Sequence, residues 1–501
     1  MNLMMLLEMA AEGMGDRVGV VSGDTRLTYG EIFEASGRAA ARLRSSDAEH
    51  LAILDISSPV LPIAVFAAAW AGKPFVPLNY RLTGAELENL VGQITPAQLI
   101  TENERVDSLA GLSGLEVIGR DDYLAGAQHA EAESLDREWS MDPDEIAILL
   151  FTSGTTGPPK AAVIRHKHLV SYILMSVEFM SADENDAALV CVPPYHIAGM
   201  AAIASSVYSG RRIVQLPNFT AESWLELARK EKITNAFVVP TMLARIVELL
   251  EGQGSADLPH LRALSYGGGK MPQSIIERAL ELFPETNFAN AYGLTETSST
   301  ISILGPEDHR AAISSDDSRV RRRLVSVGQP LPSIELEIRD GDGQALAANE
   351  RGEIYVRGEQ VSGEYLGKGS LVLEDGFFPT RDGGSLDEDG YLFIEGRIDD
   401  IIVRGGENIS PGEIEDILLE HEAVSDAAVV GLPDEQWGEK VVAAVVCKPG
   451  AGATEAELQQ WVKDRLRSSR TPESFEFWPE LPYNETGKLL RRTVRARLMA
   501  G

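Results

Sequence analysis

Hydroxyls, glycines and one lysine crowd into a single short run: Thr152, Ser153, Gly154, Thr155, Thr156, Gly157, Pro158, Pro159 and Lys160. That mixture suits the holding of phosphate. Glycines let the backbone approach an anion closely, hydroxyls donate hydrogen bonds and the lysine supplies charge. Residues 146–151 before the run are apolar, with the length and make-up of a buried strand, and 161–164 after it form a second apolar piece. No G-x-x-x-x-G-K-[ST] pattern can be drawn through it, so it is not a Walker loop. Taken alone, these residues could also be a hydroxyl-rich surface turn.

A second candidate is the run 290–296, which holds Asn290, Ala291, Tyr292, Gly293, Leu294, Thr295 and Glu296. An aromatic face, a bare glycine, a hydroxyl and a carboxylate within one span suit a nucleotide. Tyr292 would pack on a planar base, Thr295 would donate to a phosphate and Glu296 would hold Mg2+ through oxygen. A strand-to-helix turn capped by Thr295 or Thr297 would also read this way. The triple glycine Gly267, Gly268 and Gly269 between Tyr266 and Lys270 is by itself only a turn signal.

In their order along the chain, 152–160, 266–270 and 290–296, these runs resemble the signatures of the adenylate-forming enzymes, the group of acyl-CoA synthetases, amino-acid adenylation domains and luciferases. The resemblance extends from the first helices to Lys488. It implies that Thr152, Ser153, Gly154, Thr155, Thr156, Gly157 and Lys160 grip the β- and γ-phosphates of ATP. Gly268, Asn290, Ala291, Tyr292, Asp382 and Arg397 would then surround adenine and ribose. Thr295, Glu296, His196 and Lys488 would carry the catalysis, with Mg2+ on Glu296. Asp399 matches the hinge between two domains, and Gly405 and Gly406 match the bare loop past which the pantetheine arm of CoA enters. Trp437 either lines that path or is an aromatic of the second domain's own fold.

Two departures bear on the substrate and on the ribose site. Amino-acid-activating relatives place an aspartate near the carboxylate pocket, whereas this chain has Tyr195 and His196, followed by Ile197, Ala198, Gly199 and Met200. The implied pocket residues His196, Met200, Val238, Gly267 and Gly269, with Val239 and Thr300, are apolar or small. They point to a fatty or aryl acid without an α-amine, and the glycines suggest room for a medium or long chain. At 380–382 relatives read Thr-Gly-Asp, and here Arg381 stands between Thr380 and Asp382. Upstream of the lysine, Tyr483 and Asn484 replace a commoner Arg-Thr.

The elements that must position these residues follow from periodicity. Between 26 and 97, and again from 186 to 269, helical patterns alternate with short apolar runs, the rhythm of βαβ units on a mostly parallel sheet. The stretch 104–141 is polar and acidic and reads as a surface excursion. Beyond 325 short alternating strands suggest a small β-rich subdomain, and the last hundred residues mix helices and strands as an α+β unit. The expected fold is α/β: a large N-terminal domain, 1–398, and a smaller mobile C-terminal domain, 399–501. The basic residues Arg491, Arg492, Arg495 and Arg497 read as a solvated helix face.

Composition narrows the partners. With 76 acidic against 45 basic residues the formal charge is −31, which argues against nucleic acid, whose phosphates require a basic face. Cys191 and Cys447 are far apart and fit a reducing compartment. The apolar N-terminus lacks a basic leader segment and carries Glu8, so it reads as an amphipathic helix. The stretch 60–71 is too short to span a bilayer. A cytoplasmic enzyme without stable membrane insertion is expected, with no carrier domain fused after Gly501. A homodimer is left open. The implied reaction is activation of a small carboxylic acid by ATP and Mg2+, then transfer to CoA. Loading of a separate carrier protein is the alternative, and a non-catalytic nucleotide-binding relative is a third.

Overall fold

The alternation of helical stripes and short apolar runs becomes two large sheets wrapped by helices. The computed structural model describes residues 1–129, 137–152, 159–483 and 489–500. By their internal contacts they form two units. One comprises Met1–Leu324, Pro330–Glu335 and Arg357–Phe378, and the other Val325–Gln329, Leu336–Val356 and Pro379–Gly501.

In the first unit a nine-stranded sheet has a parallel centre, in the spatial order Asn287–Leu294, Ala263–Gly267, Asn235–Val238, Ala187–Val190, Arg212–Gln215 and Val18–Ser22. Their near-continuous apolar character is what strands covered on both faces require. An eight-stranded sheet contains Ile146–Thr152 between Phe75–Pro77, its parallel neighbour, and Lys160–Arg165, its antiparallel one. The helix Val60–Ala71 is buried from Val60 to Trp70 and is apolar all round, so it needs neighbours on every side. It packs on Tyr29–Arg44 and Met4–Met14 in a core cluster that includes residues of both sheets. The N-terminal helix Met4–Met14 buries Met4, Leu6, Leu7, Ala10 and Met14, which accounts for its apolar stripe. Among the described residues no helix is long and apolar enough to cross a membrane.

The acidic stretch 104–141 is not the surface excursion its composition suggests. Leu115–Gly119 extends the eight-stranded sheet in parallel beside Ala97–Thr101, and Arg120–His129 buries Tyr123 and Ala127. An edge strand has one sheet neighbour and a helix needs only a narrow apolar stripe, so few apolar residues suffice. Residues 130–136 lie outside the described ones.

The second unit holds most of a four-stranded sheet, with Gly352–Arg357, Phe378–Leu386 and Leu392–Arg397 in adjacent positions. It also holds a sheet built on the antiparallel pair Val424–Asp434 and Gly438–Cys447. The helices Pro411–Leu419, Glu455–Lys463 and Arg491–Ala500 add buried side chains to the clusters of this second sheet. The basic face of the last helix is not simply solvated. Arg491 pairs with Glu415, Arg495 with Glu439, and the guanidinium of Arg497 lies 4.1 Å from the centroid of Trp478.

The turn after Asn287–Leu294 depends on a close backbone approach. A Cβ on Gly293 would sit 1.8 Å from the carbonyl oxygen of Ser299. Gly293→Ala is expected to lower the unfolding free energy by about 1–3 kcal/mol, read by chemical denaturation, because the paired strands must part to admit a methyl group.

Candidate active site

Parallel strands emerge at a common edge, and in the nine-stranded sheet that edge carries several of the predicted residues of the first unit. Val238 pairs with Tyr266, and Tyr266 with Asn290. The segments that leave these strand ends carry Val239, the glycines 267–269 and the turn at Thr295 and Glu296. The loop beyond the neighbouring strand Ala187–Val190 leads to Tyr195 and His196. Carboxyl ends of parallel strands are where open α/β sheets bind ligands. Gly267 is buried, and its Cβ would lie 2.1 Å from the carbonyl oxygen of Ala291, so close strand packing accounts for this glycine. Gly268 has φ +83°, and both it and Gly269 are exposed. Asn290 is buried, while Ala291 and Tyr292 are half-buried.

Glu296 sits in a single 3-10 turn, Thr295–Thr297, and is only 8% exposed. Its neighbours hold it from two sides. Thr297 Oγ1 accepts from the Leu294 N–H at 3.0 Å and lies 2.8 Å from the Ser299 carbonyl, closing the turn. Ser298 and Ser299 take φ of 54° and 112°. From across the site, the Ser362 and Gly363 N–H groups donate to the Glu296 carbonyl at 2.8 and 3.1 Å. The Tyr365 hydroxyl donates to Glu296 Oε1. Gln360 Nε2 donates to the carbonyls of Thr297 and Thr300 at 3.0 and 2.7 Å. Thr300 Oγ1 lies 3.4 Å from the Tyr172 hydroxyl.

Tyr365 also joins Glu296 to the strand Lys160–Arg165. It pairs with Ala162 on the strand Lys160–Arg165, and Lys160 Nζ lies 5.6 Å from its ring centroid. Thr152 and Lys160 face each other across the antiparallel pair, with Thr152 Oγ1 donating to the Lys160 carbonyl at 3.3 Å. The ends of the run are thus fixed beside Tyr365. Ser153, Gly154, Thr155, Thr156 and Gly157 lie outside the described residues. Sequence reasoning missed Tyr365 and Gln360. The strand Glu364–Tyr365 is two residues long, too short for any periodicity.

His196 is the N-cap of Ile197–Ser209. Its ring lies 5.1 Å from that of Tyr195, which in turn meets Tyr80 at 5.7 Å. The imidazole keeps some solvent contact, yet dense packing pushes its pKa down to about 4. A helix N-terminus disfavours a cation in the same direction. His196 is therefore a neutral ring at neutral pH. Met200 and Val238 are buried.

The second unit carries its predicted residues in two groups. Asp382 and Arg397 are cross-strand partners, with Arg397 Nε 3.2 Å from Asp382 Oδ1 and Nη1 donating to the Thr380 carbonyl at 2.8 Å. Thr380 Oγ1 accepts from the Asp382 N–H at 3.1 Å. Arg381 has φ +62°, a left-handed conformation that glycine adopts without strain and that costs another residue about 1–2 kcal/mol. Two contacts offset this. The Arg381 N–H donates to Glu353 at 3.1 Å, and its guanidinium lies 2.6 Å from Asp399 Oδ1. In the other group, Gly405 and Gly406 have φ of 57° and 84°. The Gly405 N–H donates to the Trp437 carbonyl at 2.7 Å, and a Cβ there would touch the indole at 3.0 Å. Trp437 is 45% exposed. Lys488 lies outside the described residues.

The chain as a whole has relatives among known proteins. Residues 7–366 match the family described as AMP-binding enzyme, and 413–488 match the AMP-binding enzyme C-terminal domain. The chain belongs to the AMP-binding enzyme family. It is 32% identical to the fatty acid–[acyl-carrier-protein] ligase ScoC of Streptomyces coeruleorubidus, over 94% of this chain and 91% of that one. It is also 32% identical to a 2-succinylbenzoate–CoA ligase of Bacillus licheniformis, over 97% and 98%. A solved member of the family, the o-succinylbenzoate CoA synthetase of Bacillus subtilis, superposes with a TM-score of 0.85 in complex with its acyl-adenylate intermediate. Identity is 30%, covering 98% of this chain and 97% of that one. The same enzyme with ATP and a magnesium ion gives 0.84 at 30% identity, over 97% and 98%.

Two predictions follow from the geometry. Since the folded His196 pKa lies below the free imidazole's 6.5, protonation favours the unfolded chain. Its stabilisation is complete above 6.5 and is lost as pH falls toward about 4. The His196 ring proton shift in NMR is expected to stay flat from about pH 8 to 5.5, where an ordinary histidine titrates. At the Thr380–Asp382 turn, Arg381→Gly is expected to change stability by no more than about 1 kcal/mol, since relieved strain offsets a lost surface ion pair. AMP affinity, read by calorimetry, should stay within about twofold because Arg397 and Thr380, not Arg381, hold Asp382.

Proposed function

We propose that this chain is an AMP-forming acid–thiol ligase, which activates an apolar fatty or aryl acid with ATP and transfers the acyl group to CoA. The observation that carries this reading is the buried Glu296 carboxylate at the common strand edge, tied through Tyr365 to the strand that bears Lys160. Two anions must meet in the first step, so the site has to supply fixed donors and cations. A carboxylate oxygen of the acid attacks the α-phosphorus, the bond to the bridging oxygen breaks, and pyrophosphate leaves with its electron pair. No general base is needed, because the acid is already ionised at neutral pH.

In this reading residues 152–160 hold the terminal phosphates, Tyr292 and the glycines at 267–269 border adenine, and Asp382 accepts from the ribose hydroxyls. Lys488 spans carboxylate and α-phosphate. Glu296 fits Mg2+ that arrives with nucleotide, since such an ion needs only one or two protein carboxylates. The bound ion would neutralise charge on the phosphates. His196, as a neutral ring beside Tyr195, suits the wall of a pocket for an apolar acid. Gly268 and Gly269 leave its rim bare for a longer chain.

For the second step we place the hinge at Asp399, so that Lys488 withdraws and Gly405, Gly406 and Trp437 line the approach of the thiol. The thiol loses its proton, its sulfur attacks the acyl carbonyl, and AMP departs. A carrier-protein thiol is the second reading, favoured by the similarity to ScoC. The two free cysteines suit a cytoplasmic setting.

Purified protein with ATP, Mg2+ and a panel of fatty and aryl acids, with CoA or a phosphopantetheinylated carrier protein, tests the reaction by mass spectrometry. Acyl-CoA is the expected product. Acyl-adenylate that ignores CoA and loads the carrier would establish the second reading, and no adenylate from any acid would contradict both. Lys488→Ala is expected to slow adenylate formation by roughly a hundred- to a thousandfold while still converting supplied acyl-adenylate and CoA.

A further inference from the structure

We propose that Arg491 is a positioning residue for Lys488, an inference that rests on the catalytic role given to that lysine above. The chain on either side of residues 484–488 is drawn together. Tyr483 and Leu489 form an antiparallel bridge, and the Leu490 N–H donates to the Pro482 carbonyl at 2.8 Å. Lys488 is bonded directly to Leu489, so the bridge anchors the chain one residue from the lysine.

Two side chains fix it. Arg491 opens the helix Arg491–Ala500, where a cation opposes the helix dipole. Helix formation therefore does not explain this residue. Its guanidinium forks onto the buried carboxylate of Glu415, with Nη2 2.7 Å from Oε2 and Nη1 on Oε1. Nη1 also donates to the Val429 carbonyl at 3.0 Å, and Nε lies 3.4 Å from Asp400 Oδ2. One arginine thereby joins the lysine's flank to the helix Pro411–Leu419, the strand Val424–Asp434 and the turn Ile398–Asp400. On the other flank the Tyr483 hydroxyl lies 2.9 Å from each carboxylate oxygen of Asp426, on that same strand. Tyr483 thus supplies the second anchor.

The test uses Arg491→Lys, which keeps the charge but loses the planar fork, and Tyr483→Phe, which removes one hydroxyl. ATP–pyrophosphate exchange and acyl transfer from supplied acyl-adenylate are measured separately, with amide exchange of the peptide 479–490. For Arg491→Lys the exchange kcat is expected to fall roughly ten- to a hundredfold, as small misplacements do. The KM for ATP and the acyl-transfer rate should stay within about twofold. Tyr483→Phe should shift in the same direction by less, and both variants should exchange amides faster around the lysine. Equal loss of both half-reactions, or an unaltered kcat, would overturn the proposal. Amide exchange needs no substrate, so unchanged protection overturns it even if the wild type activates no acid of the panel. Failure of the wild type would instead count against the proposed reaction.

Discussion

Glu296 is a carboxylate held almost out of water at the mouth of a parallel sheet, and the geometry of the first unit is organised around keeping it there. Burying an ionised carboxylate costs several kcal/mol unless donors meet it. Here the Tyr365 hydroxyl reaches the side chain, while Ser362 and Gly363 hold the backbone of the same residue. Those partners lie 66 to 69 residues further along the chain, on a segment that pairs with the strand carrying Lys160. The clasp therefore ties the Thr295–Glu296 turn to the strand Lys160–Arg165. Neither element could be displaced without breaking a contact of the other, which is the rigidity a site needs if its donors are to be in place before charge moves.

The second unit solves its positioning problem differently, with arginine forks and cross-strand pairs. Arg397 faces Asp382 across two strands, Arg381 reaches Asp399, and Arg491 spans Glu415 and Asp400. The exposed pair at Arg381 is energetically minor, and its backbone strain is tolerated because the neighbouring pair already fixes Asp382. The buried fork of Arg491 is of another kind. Removing one partner would leave the other charge in the interior, so this pair is expensive to break even if its net contribution to stability is small.

Much of this was legible in the sequence. The βαβ rhythm predicted the parallel sheets, and the apolar runs 146–151 and 161–164 became the antiparallel pair that flanks the hydroxyl- and glycine-rich run. Single residue types at fixed spacing carried those readings. What escaped were contacts between distant segments. Tyr365 belongs to a two-residue strand with no periodicity of its own. Leu115–Gly119 is an edge strand whose few apolar residues hid among acidic ones. Arg491 looked like one of several solvated cations, because its partner Glu415 lies far back in sequence on another helix. Gly267 looked like room for substrate, whereas the carbonyl of Ala291 already demands a glycine there.

The most direct test follows an oxygen atom. Dodecanoate, ferulate and 2-succinylbenzoate labelled with 18O in the carboxylate would be offered with ATP, Mg2+ and CoA, and the products analysed by mass spectrometry. If the acid attacks the α-phosphorus, one labelled oxygen must appear in AMP as acyl-CoA forms, with none in pyrophosphate. Unlabelled AMP, or label in inorganic phosphate alongside ADP, would contradict the account, because the carboxylate would then have been activated at another phosphorus or not at all.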